Sequence, residues 1–79
     1  MKLTEVPKHE ADIQRGKVLM ALEGSTDAVE ALVEALKAEG YPSTQCADVG
    51  DNEGEIIEYF VIQRQRLADF KQTYKTLKA

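Results

Sequence analysis

Two segments of the chain carry apolar side chains on both of the faces that a strand presents, which is typical of strands covered on both sides. The first is Lys17 to Glu23, and the second, more apolar one is Glu55 to Gln63, which only Glu58 interrupts. β-Branched and aromatic residues dominate the second segment, so we predict that it is the central strand of a sheet. Ser43 to Val49 alternates more weakly, which predicts an edge strand.

A helix is predicted between the first strand and the edge strand. The segment Gly24 to Asp27 offers capping side chains and an acidic first turn. Apolar residues then recur at helical spacing, at Ala28, Val29, Leu32, Val33 and Leu36. Gly40 ends the helix, Tyr41 can fold back on Leu36 as in a Schellman motif, and Pro42 prevents continuation.

The two ends of the chain differ in how clearly they predict structure. Apolar residues of the segment Arg66 to Leu77 fall on one side of a closing helix, at Leu67, Phe70, Tyr74 and Leu77. At the other end, Leu3 to Val6 alternates weakly, as in a short edge strand. Lys8 to Gln14 suits a short helix that stops at Gly16. Strand and helix interpretations both remain open for residues 1–16.

The order β-α-β-β-α predicts a single α+β domain over residues 1–79, with a small antiparallel sheet and two helices on one face. Placing the most apolar strand in the middle, antiparallel to both neighbours, produces the split β-α-β arrangement of ferredoxin-like domains. The crossover through the first helix should be right-handed. An extra N-terminal strand or short helix is compatible with this architecture.

This arrangement leaves one strand edge and one sheet face uncovered. The strand Lys17 to Glu23 would have a free edge, which either Leu3 to Val6 or a second copy of the chain could pair with. The face without helices carries one of two rows, either Val18, Met20 and Leu22 or Leu19 and Ala21. We therefore expect a homodimer through the strand Lys17 to Glu23 or through the open sheet face.

Charge is unevenly distributed along the 79 residues. Residues 1–63 carry a net charge of −8, whereas residues 64–79 carry +4. The acidic part disfavours non-specific binding of nucleic acid through long-range repulsion. The longest apolar runs are far shorter than a membrane span. We expect neither a nucleic acid nor a membrane as a partner, and another protein instead.

The chain has few of the residue types that carry chemistry. One cysteine, Cys46, excludes an internal disulfide and a cysteine zinc cluster, and its strand position suits a small buried side chain. The single histidine, His9, is interpreted as a surface residue. The polar N-terminus lacks the apolar region of a signal peptide, which predicts a cytoplasmic location. We expect no cofactor, no metal and no catalytic residue.

Two acidic features are candidate sites. The acidic hairpin, composed of Asp48, Asp51, Asn52, Glu53 and Glu55, could offer oxygens to a divalent cation. Its order fails the EF-hand pattern, so a solvated turn is the favoured interpretation. Glu58 could serve as a general acid–base inside an apolar strand. A solvated position, or pairing with a basic side chain, is favoured because no catalytic partner accompanies it.

A basic stripe on the closing helix is the best functional candidate. It consists of Arg64, Lys71, Lys75 and Lys78. Such a stripe is usually a solvated face that also benefits from the helix dipole. Its contrast with the acidic remainder makes a charged docking surface plausible. The candidate protein-binding residues are therefore this stripe together with Asp51, Glu53 and Glu55.

Two resemblances accompany this interpretation. The succession of a strand, a helix that ends in Gly-Tyr-Pro, a hairpin and a helix resembles small ferredoxin-like regulatory modules. The stretch Leu32 to Ser43 looks like part of the peptidoglycan-binding SPOR repeats. The SPOR pattern includes a second periodic repeat after the hairpin, which this chain does not have. No binding residue is carried over from it.

The leading hypothesis is a small non-enzymatic protein-binding or regulatory module that acts through a sheet face and charged surfaces. One alternative is an acidic inhibitor of the phage or mobile-element type, which would mimic nucleic acid and block a basic groove of its target. Its phosphate mimics would be Asp48, Asp51, Glu53, Glu55, Glu30 and Glu34. The other alternative is a small ligand sensor or enzyme with a pocket at a dimer interface, lined by Glu58, Tyr59 or Cys46.

Overall fold

The structure is a computed structural model that describes residues 1–7, 15–48 and 54–78. A four-stranded antiparallel sheet and two helices make up these residues. The elements in chain order are β1 (Lys2–Glu5), β2 (Lys17–Ser25), α1 (Thr26–Ala38), β3 (Gln45–Asp48), β4 (Glu55–Gln63), a 3₁₀ turn (Arg64–Arg66) and α2 (Leu67–Lys78). The predicted helix at Lys8 to Gln14 lies outside the described residues.

The strand order of the sheet is β1-β2-β4-β3, and every neighbouring pair is antiparallel. β4 therefore lies between β2 and β3, which confirms the predicted central position of the most apolar strand. Met20 lies opposite Phe60 in the centre of the β2–β4 pair. The α+β class is confirmed. The strand order differs from a simple split β-α-β unit because β1 is added beside β2.

The edge of β2 is covered by β1, where Leu3 lies opposite Leu22. Of the two ways to pair this edge that the sequence left open, the intramolecular one is present. β2 has a neighbour on both sides, so the edge of Lys17 to Glu23 through which a homodimer was expected is already paired within the chain. Self-association through the open face of the sheet is unaffected by this pairing.

The core lies between one face of the sheet and both helices. Phe70 of α2 is fully buried, and its ring centroid lies 5.3 Å from that of Phe60 and 5.2 Å from that of Tyr41. The buried apolar residues are Val18, Met20, Leu22, Val29, Leu32, Leu36, Tyr41, Ile56, Phe60, Ile62, Phe70 and Tyr74. The row Val18, Met20 and Leu22 is thus the covered one.

The ends of α1 are built as predicted. The Ser25 side chain accepts a hydrogen bond from the Ala28 N–H at 3.4 Å. At the other end Gly40 has a φ of 93°, and the Tyr41 N–H donates to the Leu36 carbonyl at 2.9 Å. The Gly40 N–H donates to the Lys37 carbonyl at 3.0 Å, which completes the Schellman motif.

Four elements have bounds that differ from the predicted ones, and one of them, β1, covers Lys2–Glu5 instead of Leu3 to Val6. β2 extends to Ser25, where a Cβ on Gly24 would lie 3.1 Å from the Cα of Met1, so the glycine lets the N-terminal segment pass closely. α2 begins at Leu67 because the preceding residues form the 3₁₀ turn, whose Arg64 N–H donates to the Gly16 carbonyl at 2.9 Å. β3 covers only Gln45–Asp48.

Candidate protein-binding surfaces

The sheet face that no helix covers is largely apolar. The strands alternate, so the neighbours of the buried core residues point to this side. Its apolar residues are half-buried, and we call them the open face: Val6, Leu19, Ala21, Ala47, Ile57, Tyr59 and Val61. A depression of about 510 Å³ lies among Val6, Leu19, Ala21, Gln45, Ala47 and Tyr59. No described residue covers this surface.

Charges of opposite sign border the two ends of the open face. Lys17 begins β2 and lies opposite Gln63 at one end of the strands. Glu23 of β2 and Glu55 of β4 lie near the other end, on the same side of the sheet by alternation. Each of these three charged side chains is half-buried. Lys2 of β1 lies opposite Glu23 on this side and offsets one carboxylate, so the open face is positive at one end and carries a smaller net negative charge at the other.

A groove runs between β1 and α2 on the opposite side of the sheet. Its volume is about 310 Å³, and Met1, Leu3, Met20 and Tyr74 supply its apolar lining. The remaining lining residues are charged: Glu5, Lys71, Lys75 and Lys78. The α2–β1 groove, as we call it, therefore carries a net positive charge in a protein whose formal net charge is −4.

The basic stripe predicted from the sequence is divided by the structure. Lys71, Lys75 and Lys78 lie exposed along α2 and line the groove. The Lys78 Nζ is 5.6 Å from the ring centroid of Tyr74, a distance suited to a cation–π contact. Arg64 lies on the 3₁₀ turn and does not line this groove.

The outer edge of β1 exposes backbone groups beside the groove. The Val6 N–H donates to the Leu19 carbonyl at 2.8 Å. By alternation, the backbone N–H and C=O groups of Val6, Thr4 and Lys2 therefore point at β2. By the same alternation, the N–H and C=O groups of Leu3 and Glu5 point away from β2. No backbone bond from another described residue reaches them. Sequence reasoning missed this feature because it depends on strand register.

The corner between α1 and α2 is held by Tyr41, which is 4% exposed. Its hydroxyl donates a hydrogen bond to the carboxylate of Asp69, and this bond together with burial raises the pKa of Tyr41 above 10.0 against the opposing charge of Arg66. The Arg66 guanidinium carbon lies 4.8 Å from the Tyr41 ring centroid. The sequence shows Asp69 only as one acid in a basic segment, without a signal for this bond.

Glu58 and Cys46 are opposite each other in the β3–β4 pair. Glu58 is 9% exposed and lies on the helix-covered side with Ile56 and Phe60. No buried polar side-chain atom in the described residues lacks a hydrogen-bond partner, so the oxygens of the Glu58 side chain reach water. Cys46 is exposed rather than buried, which corrects its expected role as a core residue, because the short β3 lies beyond the helices.

The acidic candidates are only partly placed by the structure. Asp51, Asn52, Glu53 and His9 lie outside the described residues. Glu55 lies on β4, at the acidic end of the open face. Glu30 and Glu34 are exposed one turn apart on α1. Within the described ranges, histidine, cysteine and acidic side chains form no group able to hold a metal ion.

None of the helices in the described residues is both long enough and apolar enough to span a bilayer. The cytoplasmic location stays a prediction of the sequence.

Comparison with known proteins adds no relative. No protein-family model matches the chain, and neither the curated proteins nor the solved structures include a significant match. The likeness of Leu32 to Ser43 to SPOR repeats is thus without support from a family match. Function is therefore inferred from the surfaces of the described residues.

Proposed function

We propose that the protein is a non-enzymatic protein-binding module whose open face packs against a second copy of the chain. The observation that carries this proposal is the half-buried apolar row on the side of the sheet without helices. An apolar patch of this kind, bordered by charged residues, is typical of protein–protein contacts. The resulting dimer would leave the α2–β1 groove of each copy available to another protein.

Face-to-face packing of two such sheets supports this choice of partner. Two sheets pack about 10 Å apart with their inner side chains interdigitated, as in a β-sandwich. Tyr59, Leu19 and Ile57 would supply the largest apolar side chains on each side, and the small Ala21 opposite Tyr59 leaves room for the partner's side chains. The contact would be isologous, with the same patch used by both copies.

The charges at the ends of the open face favour one relative orientation. A two-fold axis that lies between the sheets and perpendicular to the strands reverses the strand direction of the second copy. Lys17 of one copy would then face Glu23 and Glu55 of the other. The axis parallel to the strands would instead place like charges together, which is unfavourable. Charge complementarity thus supports the antiparallel arrangement.

Sedimentation equilibrium over a range of concentrations tests the proposal. Wild-type protein should approach twice the chain mass of 8.8 kDa. Ala21→Glu places a charge in the centre of the open face and should leave a monomer. Ala31→Glu makes the same change on the exposed side of α1 and should leave the dimer intact. Circular dichroism would verify that both variants fold.

The orientation is tested by exchanging charges. Lys17→Glu should weaken dimerisation about three- to tenfold, and adding Glu55→Lys should restore it. The two positions are separated by roughly 26 Å within one copy, so rescue must act between copies. A wild-type protein that is monomeric at every concentration, or an Ala21→Glu variant that remains dimeric, would overturn the proposed packing.

The strand order supports a finer description of the fold. We propose that it is a variant of the ferredoxin-like arrangement, in which β1 occupies the sheet edge beside β2. The support is the β2-α1-β3 unit with β4 inserted between its two strands.

A further inference from the structure

We infer that the outer edge of β1 accepts an acidic extended segment of another protein as an added antiparallel strand. This inference goes beyond self-association through the open face and uses a different part of the molecule. Three features of the described residues converge on it. They are the outward backbone groups of β1, the three lysines of α2 and the apolar lining of the α2–β1 groove.

The backbone of β1 determines how such a strand would pair. The N–H and C=O groups of Leu3 and Glu5 point outward, so each can exchange two hydrogen bonds with a residue directly opposite on the added strand. Those opposite residues lie on the same side of the sheet as Leu3, which is the side of α2. Main-chain bonds of this kind supply affinity in strand-addition complexes.

The lysines determine which side chains the added strand should carry. Lys71, Lys75 and Lys78 line the groove, while Glu5 is its single acidic lining residue. A glutamate on the α2 side could lay its methylene groups against the apolar lining and place its carboxylate near a lysine. The intervening residues of the strand would point to the other side, next to Thr4 and Val6. Apolar side chains there would extend the open face.

The probe that follows is a capped, fluorescein-labelled octapeptide that alternates glutamate with valine. Fluorescence anisotropy at low salt should show saturable binding to the full chain, weakened by added salt because the lysines are exposed. A peptide that alternates lysine with valine should not bind. Lys75→Glu should weaken binding about three- to tenfold, whereas Lys37→Glu, the same change on the exposed side of α1, should have little effect.

Two backbone-methylated peptides separate strand addition from simple charge attraction. Methylation of the glutamate nitrogens removes the N–H groups that would face β1, and should weaken binding about tenfold or more. Methylation of the valine nitrogens removes only N–H groups that would face water, and should leave binding nearly unchanged. Both peptides have the same composition and charge, so only pairing with β1 distinguishes them.

Equal affinities of the two methylated peptides would overturn the inference, as would the absence of binding by the unmodified peptide. The inference would also be overturned if the protein bound vesicles of anionic lipid in preference to the peptides and showed no difference between the two methylated peptides. The Ala21→Glu variant separates peptide binding from the proposed dimer. It is expected to be monomeric but retains β1 and the groove, so it should still bind the peptide. Peptide binding by a monomeric wild type would overturn the dimer alone, and a dimer without peptide binding would overturn this inference alone.

Discussion

The two faces of the sheet both carry apolar rows and differ in what covers them. Leu22 and Leu19 lie on the same strand, yet Leu22 is fully buried under the helices and Leu19 is half-buried on the open face. On β4, Phe60 and Tyr59 differ in the same way. The alternation of apolar residues therefore predicts that both faces can be covered. It does not determine that both are covered within one chain.

This difference shows where a small domain keeps its stability and where it has apolar surface available for binding. A domain of 79 residues is stable by only about 4–12 kcal/mol. The fully buried side chains of the core, such as Phe70 and Leu36, all lie on the helix-covered side. The open face can then be altered without removing that core, which makes the comparison testable.

The largest expected effect comes from truncating the two leucines. Leu22→Ala removes a fully buried side chain and should lower the free energy of unfolding by about 2–5 kcal/mol. Leu19→Ala, its matched control on the open face, should cost about 1 kcal/mol or less, because this side chain is already partly in water. Urea unfolding, at a concentration where the protein is monomeric, measures both. Equal losses would mean that the two faces are equally packed in the monomer.

A smaller effect is expected where the helices are joined above the covered face. Tyr41→Phe removes the hydroxyl that donates to Asp69 and should cost about 1 kcal/mol. Tyr74→Phe is the matched control on α2, since its hydroxyl has no hydrogen bond to another described residue, and should cost less. Thermal unfolding ranks the two variants. A larger loss for Tyr74→Phe would mean that the Tyr41–Asp69 bond does not hold the two helices together.

The smallest effect is a dependence on alkaline pH. The Asp69 bond and burial raise the pKa of Tyr41 in the folded chain, so its contribution to stability is complete below pH 10.0 and is lost as the pH rises through the folded pKa. The stability difference between wild type and Tyr41→Phe should therefore shrink above about pH 10. Unfolding in urea at several pH values measures it. A difference that grows with pH would contradict the raised pKa.

Much of the fold followed from local patterns. The apolar, β-branched run of β4 predicted its central position, because such runs are typical of inner strands. Gly40 and Tyr41 predicted the end of α1, whose hydrogen bonds join residues within one turn. The row covered by the helices did not follow, because both rows of β2 are apolar. The position of β1 also remained open, since its four residues carry too weak a pattern to exclude the alternatives.

The candidate surfaces were predicted only in part. The lysines of α2 were recognised from their helical spacing, but their position beside Met1 and Leu3 depends on contacts between the two ends of the chain. The bond between Tyr41 and Asp69 joins residues 28 positions apart, and no local pattern indicates it. Cys46 was misplaced because alternation predicts the face of a strand and not how far the helices extend over it.

The lengths of the strands determine how readily further chains could add to the edges of this sheet. Its two inner strands, β2 and β4, each have 9 residues, and its two outer strands, β1 and β3, each have 4. Short outer strands offer few main-chain groups to a passing chain, which limits fibril-like growth along the sheet. The molecule can thus expose an apolar sheet face, while any strand added at its outer edges is held by few hydrogen bonds and can dissociate.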